Sequence, residues 1–299
     1  MALHVVGNVC VDDTFYVERL PRPGETVNAV ATMRGVGGKG ANQAVAAART
    51  GADVVFRAAL GADPDAVFVR AALADELPLT GLVVLNKPTD RSTILVDRAG
   101  ENVIITAAAS AMAFDPTELS SRPGRGDYLL MQGNLGADIT KACLDKARDR
   151  GTVTILNPSP LGSTPALPEA NVIIVNAIEA EALSGCTDPV EAARRLSRGG
   201  TASVVVTLGA GGALCLDRGA RDAEHIAAPV VTTVDTSGAG DVFAGVLSGC
   251  LARGLPLLAA VRIGVRAAAI AVTRRGTLAA CPSRSEITAL IHGPLRNLS

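Results

Sequence analysis

The sequence predicts an α/β fold of three α/β/α layers, with a mostly parallel central sheet and a small inserted β-sheet. Three observations carry this. From residue 128 onward, short apolar runs alternate with helical stretches, the pattern of a parallel sheet covered on both faces. Between residues 26 and 106, three short alternating segments break that rhythm and read as a separate sheet. A chain of 299 residues that is 48% hydrophobic has enough apolar material for one large core or two smaller ones, and length alone does not choose between them.

In chain order, Leu3 to Val11 is an apolar run of strand type, with Asp12 and Asp13 at its C-terminal end. Ligands of open α/β sheets sit at such ends, so Asp12 is a candidate substrate contact; the plain alternative is a solvated strand-end acid. A Pro/Gly turn, Arg19 to Glu25, leads into a strand over Thr26 to Met33. Gly35-Val-Gly-Gly-Lys-Gly-Ala-Asn42 then opens an Ala-rich helix, Ala41 to Thr50, ended by Gly51. Lys39 is followed by Gly40 and not by Ser or Thr, so this is not a Walker A loop. A flexible backbone carrying Gly38, Lys39 and Asn42 at a helix start suits hydrogen bonding to a polyhydroxylated small molecule. The alternative for Lys39 is a solvated surface cation.

Next come a strand (Val54 to Leu60), a helix (Asp65 to Glu76) and a strand (Leu82 to Leu85). Ser92 to Asp97 and Asn102 to Thr106 flank an Arg98-Ala-Gly100 turn and read as a hairpin. With Thr26 to Met33 they form a small antiparallel sheet, whose apolar face needs a partner. The regular alternation follows: strands Tyr128 to Met131, Val153 to Leu156, Val172 to Val175, Ser203 to Thr207 and Ala213 to Leu216, with helices Gly136 to Arg150, Ala177 to Leu183 and Pro189 to Arg198. Ala239 to Arg275 and Ser285 to Ile291 are mainly helical. No repeat or linker divides the chain, so 1–299 reads as a single domain with the small sheet formed by about 13–36 and 91–107.

Asp235-Thr-Ser-Gly-Ala-Gly-Asp241 follows an apolar β-branched run, Pro229 to Val234, and precedes the apolar stretch Val242 to Leu251. It reads as strand, tight turn, helix start. The first amides of a helix lack intrahelical partners and the dipole there favours an anion. Gly238 and Gly240 allow a close backbone approach. Asp241 beside such a seat either caps the helix or accepts a proton from a hydroxyl attacking a phosphoryl group.

Composition excludes other classes. A net charge of -1 gives no field to draw in nucleic acid or an anionic membrane, and 2% aromatics without Trp leave no stacking platform for bases. The absence of a leader pattern and of a long apolar run gives the cytoplasm as the expected location. Six scattered cysteines without a C-x-x-C read as buried thiols, and three histidines offer little for a His-based metal site or triad.

Two stretches taken together carry a resemblance. Gly37-Gly-Lys-Gly-Ala-Asn-Gln-Ala-Val-Ala-Ala-Ala-Arg-Thr-Gly51 resembles the N-terminal sugar-binding signature of the ribokinase-like (PfkB) carbohydrate kinases, and Asp235 to Gly245 resembles their C-terminal catalytic signature. Pro21 to Thr26, Asn176 to Glu179, Val206 to Gly212 and Ala267 to Gly276 extend the likeness across nearly the whole chain. The resemblance implies a ribokinase-like fold whose small sheet is a lid, and a homodimer through that lid. It implies ATP, Mg²⁺ and a small sugar, with ribose as first choice and the phosphate going to a primary hydroxyl. Asp241 would be the general base, and the amides of Gly238, Ala239, Gly240 and Asp241 the anion hole. Asp12, Gly38, Lys39 and Asn42 would hold the sugar, and Asn134 stands at a further sugar position. Asn176 and Glu179 would face phosphate and hydrated Mg²⁺, although by themselves they read as a helix-start polar pair. Thr207, Gly209, Gly211 and Gly212 would line the nucleotide site. Asp235, Ser237, Ala271, Arg274 and Gly276 match positions around a monovalent cation, K⁺, whose last serine is here Ala280.

The acceptor pocket departs from the family pattern at three places. Cys10 stands for Asn, Ser110 for Asn, and Asn134 for a Glu. An amide in place of a carboxylate removes a charged acceptor worth roughly 1.5 to 3 kcal/mol per hydrogen bond. Other sugars, sugar acids or nucleosides are therefore alternative acceptors. A non-catalytic sugar or nucleotide sensor is the alternative from another class, and Asp241 argues against it.

Overall fold

The computed structural model describes residues 1–118, 123–162 and 167–293. The expected domain span of 1–299 includes residues 119–122, 163–166 and 294–299, which lie outside the described residues.

The elements, in order, are β1 (Ala2–Val6), β2 (Cys10–Val17), β3 (Ala29–Gly37), α1 (Lys39–Arg49), β4 (Asp53–Leu60), α2 (Pro64–Leu73), β5 (Leu82–Val84), β6 (Asp90–Val96), β7 (Asn102–Ala107) and α3 (Ala109–Ala113). They continue with β8 (Tyr128–Gln132), α4 (Ala137–Arg148), β9 (Val153–Asn157), β10 (Val172–Asn176), α5 (Ala177–Ser184), α6 (Pro189–Leu196), β11 (Ser203–Thr207), β12 (Ala213–Leu216) and β13 (Glu224–Ile226). Three helices close the described chain: α7 (Ala239–Ala252), α8 (Leu257–Ala271) and α9 (Arg284–His292).

Nine strands form the central sheet in the order β13-β12-β11-β10-β9-β8-β1-β4-β5. Pairing is parallel from β11 to β5, and β12 and β13 add an antiparallel edge. Successive strand side chains point to opposite faces, so each buried strand feeds two cores. Val5, Leu130, Ile155 and Ile174 pack with α1, α7 and α8, whereas Val6, Met131, Leu156 and Ile173 pack with α4 and α6.

One helix contact positions the site. A Cβ on Gly245 of α7 would lie 2.4 Å from the Gln43 carbonyl oxygen and 2.7 Å from the Ala46 Cβ of α1. Gly249, one turn on, would meet the Ala47 carbonyl at 2.8 Å. The Ala-rich face of α1 and these glycines let the two helices approach closely. Asp241 lies four residues before Gly245, hence on the same face of α7, and is thereby brought onto the first turn of α1.

Four expectations are corrected. The apolar run Leu3 to Val11 is not one strand: β1 ends at Val6 and β2 starts at Cys10 in a different sheet. The cause is packing from other elements, since a Cβ on Gly7 would sit 2.1 Å from Gln132 Oε1 and 2.9 Å from the Gly40 Cα, so the chain turns away over α1 at this glycine. The small sheet, ordered β3-β2-β6-β7, is mixed and not antiparallel throughout, because β2 and β6 run parallel with Cys10 opposite Asp90. Its first outer strand occupies Ala29–Gly37, some residues later than the expected 26–33. The β-branched stretch Pro229 to Val234 forms no strand, and Val230 is fully exposed; the sheet edge is β13, which the polar Glu224 and His225 hide from pattern reading.

Candidate active site

A cavity of about 660 Å³ lies between the small sheet and the start of α7, and Asp12, Lys39, Asn42, Asn134, Asp241 and Thr277 line it. The glycine turns make its walls. Gly38 caps α1 at φ +94°, where a Cβ would fall 2.8 Å from the Val9 Cα, and only glycine fits both conditions. Gly37 makes room for the carboxylate of Asp12, which a Cβ there would strike at 1.9 Å.

Asp241 does not cap its own helix. Gly238 is the N-cap of α7, in a left-handed conformation with φ +73°, and the helix has no side-chain cap. The buried Asp241 carboxylate turns to α1 instead: Asn42 Nδ2 donates to Oδ2 at 3.1 Å and Gln43 Nε2 donates to Oδ1 at 2.9 Å. Lys39 Nζ is 3.9 Å from Oδ1, so this lysine is part of the site and not a free surface cation. Of the first amides of α7, that of Ala239 donates to the Thr236 carbonyl at 3.3 Å.

Asp12 faces the same cavity from β2. Its Oδ1 accepts from the Cys10 thiol at 3.2 Å and its Oδ2 from Thr277 Oγ1 at 3.4 Å. Burial pushes the Asp12 carboxyl above its ordinary value, and the Asp241 charge adds to the rise against hydrogen bonds from Cys10, Ser92 and Thr277. Burial also holds the Cys10 thiol well above the usual range, with the Asp12 charge next in weight, so this cysteine is protonated. Two amide oxygens on the cavity wall, Asn42 Oδ1 and Asn134 Oδ1, are buried without a hydrogen-bond partner among the described residues. A polar atom left in that state costs about 1 to 3 kcal/mol, which ligand hydroxyls would recover.

The residues matched to nucleotide binding lie apart from that lining. Asn176 and Glu179 form a capping box at the start of α5, with Glu179 N donating to Asn176 Oδ1 at 2.8 Å and Asn176 N to Glu179 Oε2 at 3.0 Å. Glu179 Oε1 is outside that box, which leaves an oxygen that fits an outer contact to hydrated Mg²⁺. Thr207 is the register partner of Asn176 at the same strand ends, and Gly209, Gly211 and Gly212 make the turn into β12. A Cβ on Gly212 would strike the Ile226 carbonyl at 1.9 Å, so this glycine serves the sheet edge.

Asp235, Ser237 and Gly276 meet directly. Asp235 Oδ1 accepts from Ser237 N at 2.8 Å and Oδ2 from Gly276 N at 2.9 Å, while Asp235 N reaches the Val272 carbonyl at 3.2 Å. The Ala271 carbonyl accepts from Arg274 N, and the Arg274 guanidinium is engaged by Glu286. Ala280 is fully buried and brings no side-chain oxygen, so the set is one donor short of the family pattern for K⁺.

Gln43, Gln132 and Asn157 went unassigned in the sequence, yet they join Asp241 through a buried chain of hydrogen bonds. Gln43 left one signal, a polar residue in the interior of an Ala-rich helix; Asn157 left none.

A carboxylate held by amides at a glycine-turned helix start, over the strand ends of a parallel sheet, suits a kinase of small hydroxylated molecules. The chain matches the pfkB family carbohydrate kinase over residues 2–284 and belongs to that family. It is 33% identical over 298 residues to the ribokinase of Haemophilus influenzae, with 95% of this chain and 96% of the relative covered. The crystal structure of the Thermotoga maritima ribokinase superposes with a TM-score of 0.82 at 30% identity, covering 97% and 99% of the two chains. That of Arabidopsis thaliana ribokinase, complexed with ribose and ATP, gives 0.81 at 25% identity, covering 97% and 98%. The protein is an ATP-dependent carbohydrate kinase of ribokinase fold.

Proposed function

We propose that the acceptor is ribose and that the phosphate goes to its primary hydroxyl. The observation that carries this reading is the Asp241 carboxylate on a cavity wall that also presents the unpartnered oxygens of Asn42 and Asn134. Such a wall suits a small molecule with several hydroxyl donors. Asp12, Gly38, Lys39, Asn42 and Asn134 hold the sugar, and Asp241 takes the proton from the attacking hydroxyl. The amides of Gly238, Ala239, Gly240 and Asp241, at the positive end of α7, balance the charge that develops on the transferred phosphoryl group.

Asn176, Glu179, Thr207, Gly209, Gly211 and Gly212 would serve the nucleotide, and Glu179 would help hold Mg²⁺. Mg²⁺ supplies neutralisation of phosphate charge. The end of α8 at Ala271 and the loops carrying Asp235, Ser237, Arg274 and Gly276 would be the place for a monovalent cation, with Ala280 weakening its hold.

The small sheet acts as the lid. Asn102, Ile104 and Thr106 of β7 line the cavity, so closure would exclude water from the transferring phosphate. Val103 and Ile105 alternate to the other face and are exposed, as is Val30 on β3, which fits pairing with a second copy. A working location in the cytoplasm, without nucleic acid or membrane partners, fits the near-neutral charge.

A panel of ribose, deoxyribose, other pentoses, hexoses, sugar acids and nucleosides, assayed with ATP for ADP release, tests the proposal. Ribose is expected to give the highest kcat/KM. Turnover of nucleosides without turnover of free sugars would move the acceptor to nucleosides, and ligand binding without any transfer would point to a sensor.

A further inference from the structure

Asp241 presents two unequal oxygens. Oδ1 receives Gln43 Nε2, and the orientation of that amide is fixed by a chain that ends on a backbone carbonyl. Asn157 Nδ2 donates to the Ile174 carbonyl at 3.0 Å, which can only accept, so Asn157 Oδ1 must face Gln43. Gln43 Nε2 donates one hydrogen to that oxygen at 3.0 Å and the other to Asp241 Oδ1, while Gln43 Oε1 accepts from Gln132 Nε2 at 2.8 Å. Gln43 and Gln132 are almost wholly buried, and Asn157 is 8% exposed. Flipping the Gln43 amide would break three hydrogen bonds at once. Oδ2 differs, because its partner Asn42 has an amide oxygen that is unpartnered among the described residues, none of which pins its orientation.

We propose that Gln43 is a positioning residue for phosphoryl transfer: it keeps Asp241 Oδ1 as a permanent hydrogen-bond acceptor and so directs the substrate proton onto Oδ2. The proposal rests on the reading of Asp241 as the base. In the step, the acceptor O–H breaks and its proton moves to Oδ2. The hydroxyl oxygen bonds to the γ-phosphorus of ATP, and the bridging P–O electron pair leaves with ADP. A proton on Oδ1 would meet the Gln43 N–H head on, a donor facing a donor. A proton on Oδ2 meets Asn42, whose amide can turn its oxygen to accept. The charged groups near Asp241 are Lys39, at the start of α1, and Asp12, on β2. Neither lies in the Gln132–Gln43–Asn157 chain.

The test is kcat and KM against pH for the whole enzyme with ribose or the best panel acceptor, in Gln43→Glu and Asn157→Leu variants. Gln43→Glu keeps the shape and the Gln132 contact but replaces the donor with a second carboxyl. It should lower kcat by about 10- to 100-fold with a much smaller change in KM. The acid limb of kcat should move up by about one pH unit, because the donor that favours the carboxylate is gone. Asn157→Leu, which touches neither Asp241 nor the cavity lining, frees the Gln43 amide and should move the limb in the same direction by less. An acid limb and kcat unchanged in the folded variants would overturn the proposal; should Gln43→Glu fail to fold, Asn157→Leu decides alone. Asp241→Asn run alongside separates the two readings, since turnover surviving in it sinks the base assignment itself.

Discussion

Asn42 Nδ2 lies 3.1 Å from Asp241 Oδ2, although 199 positions separate the two residues in the chain. Each residue closes one glycine-rich turn, so the contact joins the two motifs that stand far apart in sequence. The close crossing of α1 and α7 at Gly245 and Gly249 makes it. The site therefore depends on helix packing as much as on its own side chains.

Replacing the carboxylate by an amide tests that centre. Asp241→Asn preserves shape, but its side chain can no longer take up a proton. Loss of a general base typically removes about 10²- to 10⁴-fold in rate. ATP binding, measured by calorimetry, should be retained while kcat falls by that order. Normal turnover in the variant would exclude Asp241 as the base.

How much of this was legible in the sequence follows from what each signal depends on. The β/α alternation and both glycine motifs are local signals, and the residues singled out from them and from the first strand end, Asp12, Lys39, Asn42 and Asp241, line one cavity. Contacts set by packing were not legible. The break at Gly7 depends on Gln132 and Gly40, which come from other elements. Gln43 and Asn157 are identifiable only once β9, α1 and α7 are assembled. The run Pro229 to Val234 misled because β-branched residues mark a strand only where a neighbouring strand is there to pair.

Asn134 should control the acceptor. Its Oδ1 is buried on the cavity wall and unpartnered among the described residues. Asn134→Glu restores the carboxylate of the family pattern, a charged acceptor worth roughly 1.5 to 3 kcal/mol, or about 10- to 100-fold in affinity. A neutral sugar able to donate to it should bind more tightly by up to that factor, whereas a sugar acid should be repelled. An unchanged order of acceptors in the panel assay would remove Asn134 from the specificity determinants.

The exposed row on the small sheet should set the oligomeric state. Val103 and Ile105 are 43% and 67% exposed on a strand whose alternate residues line the cavity. Sedimentation at micromolar concentration is expected to give a dimer, and Ile105→Glu, which places a charge in the apolar face, a monomer. A wild-type monomer under those conditions would leave the lid as a closing element only.

Asp90 gives a stability prediction with a definite sign. It lies opposite Cys10, is 1% exposed, and accepts from the amides of Ser110 at 2.7 Å and Ala111 at 3.2 Å. Burial outweighs those two hydrogen bonds and pushes its carboxyl from 3.8 up to about 6. Between about pH 4 and 6 the folded protein therefore holds a proton that the unfolded chain has lost, and this residue's contribution to stability declines as pH rises through that window. Above it the loss is complete, about 3 kcal/mol for two pH units. Asp90→Asn cannot ionise and keeps one oxygen for the Ser110 amide. Its stability relative to wild type, from urea unfolding at several pH values, should rise between pH 4 and 6 and level off above. A difference between the two proteins that stays constant with pH would show that Asp90 titrates as an ordinary carboxyl.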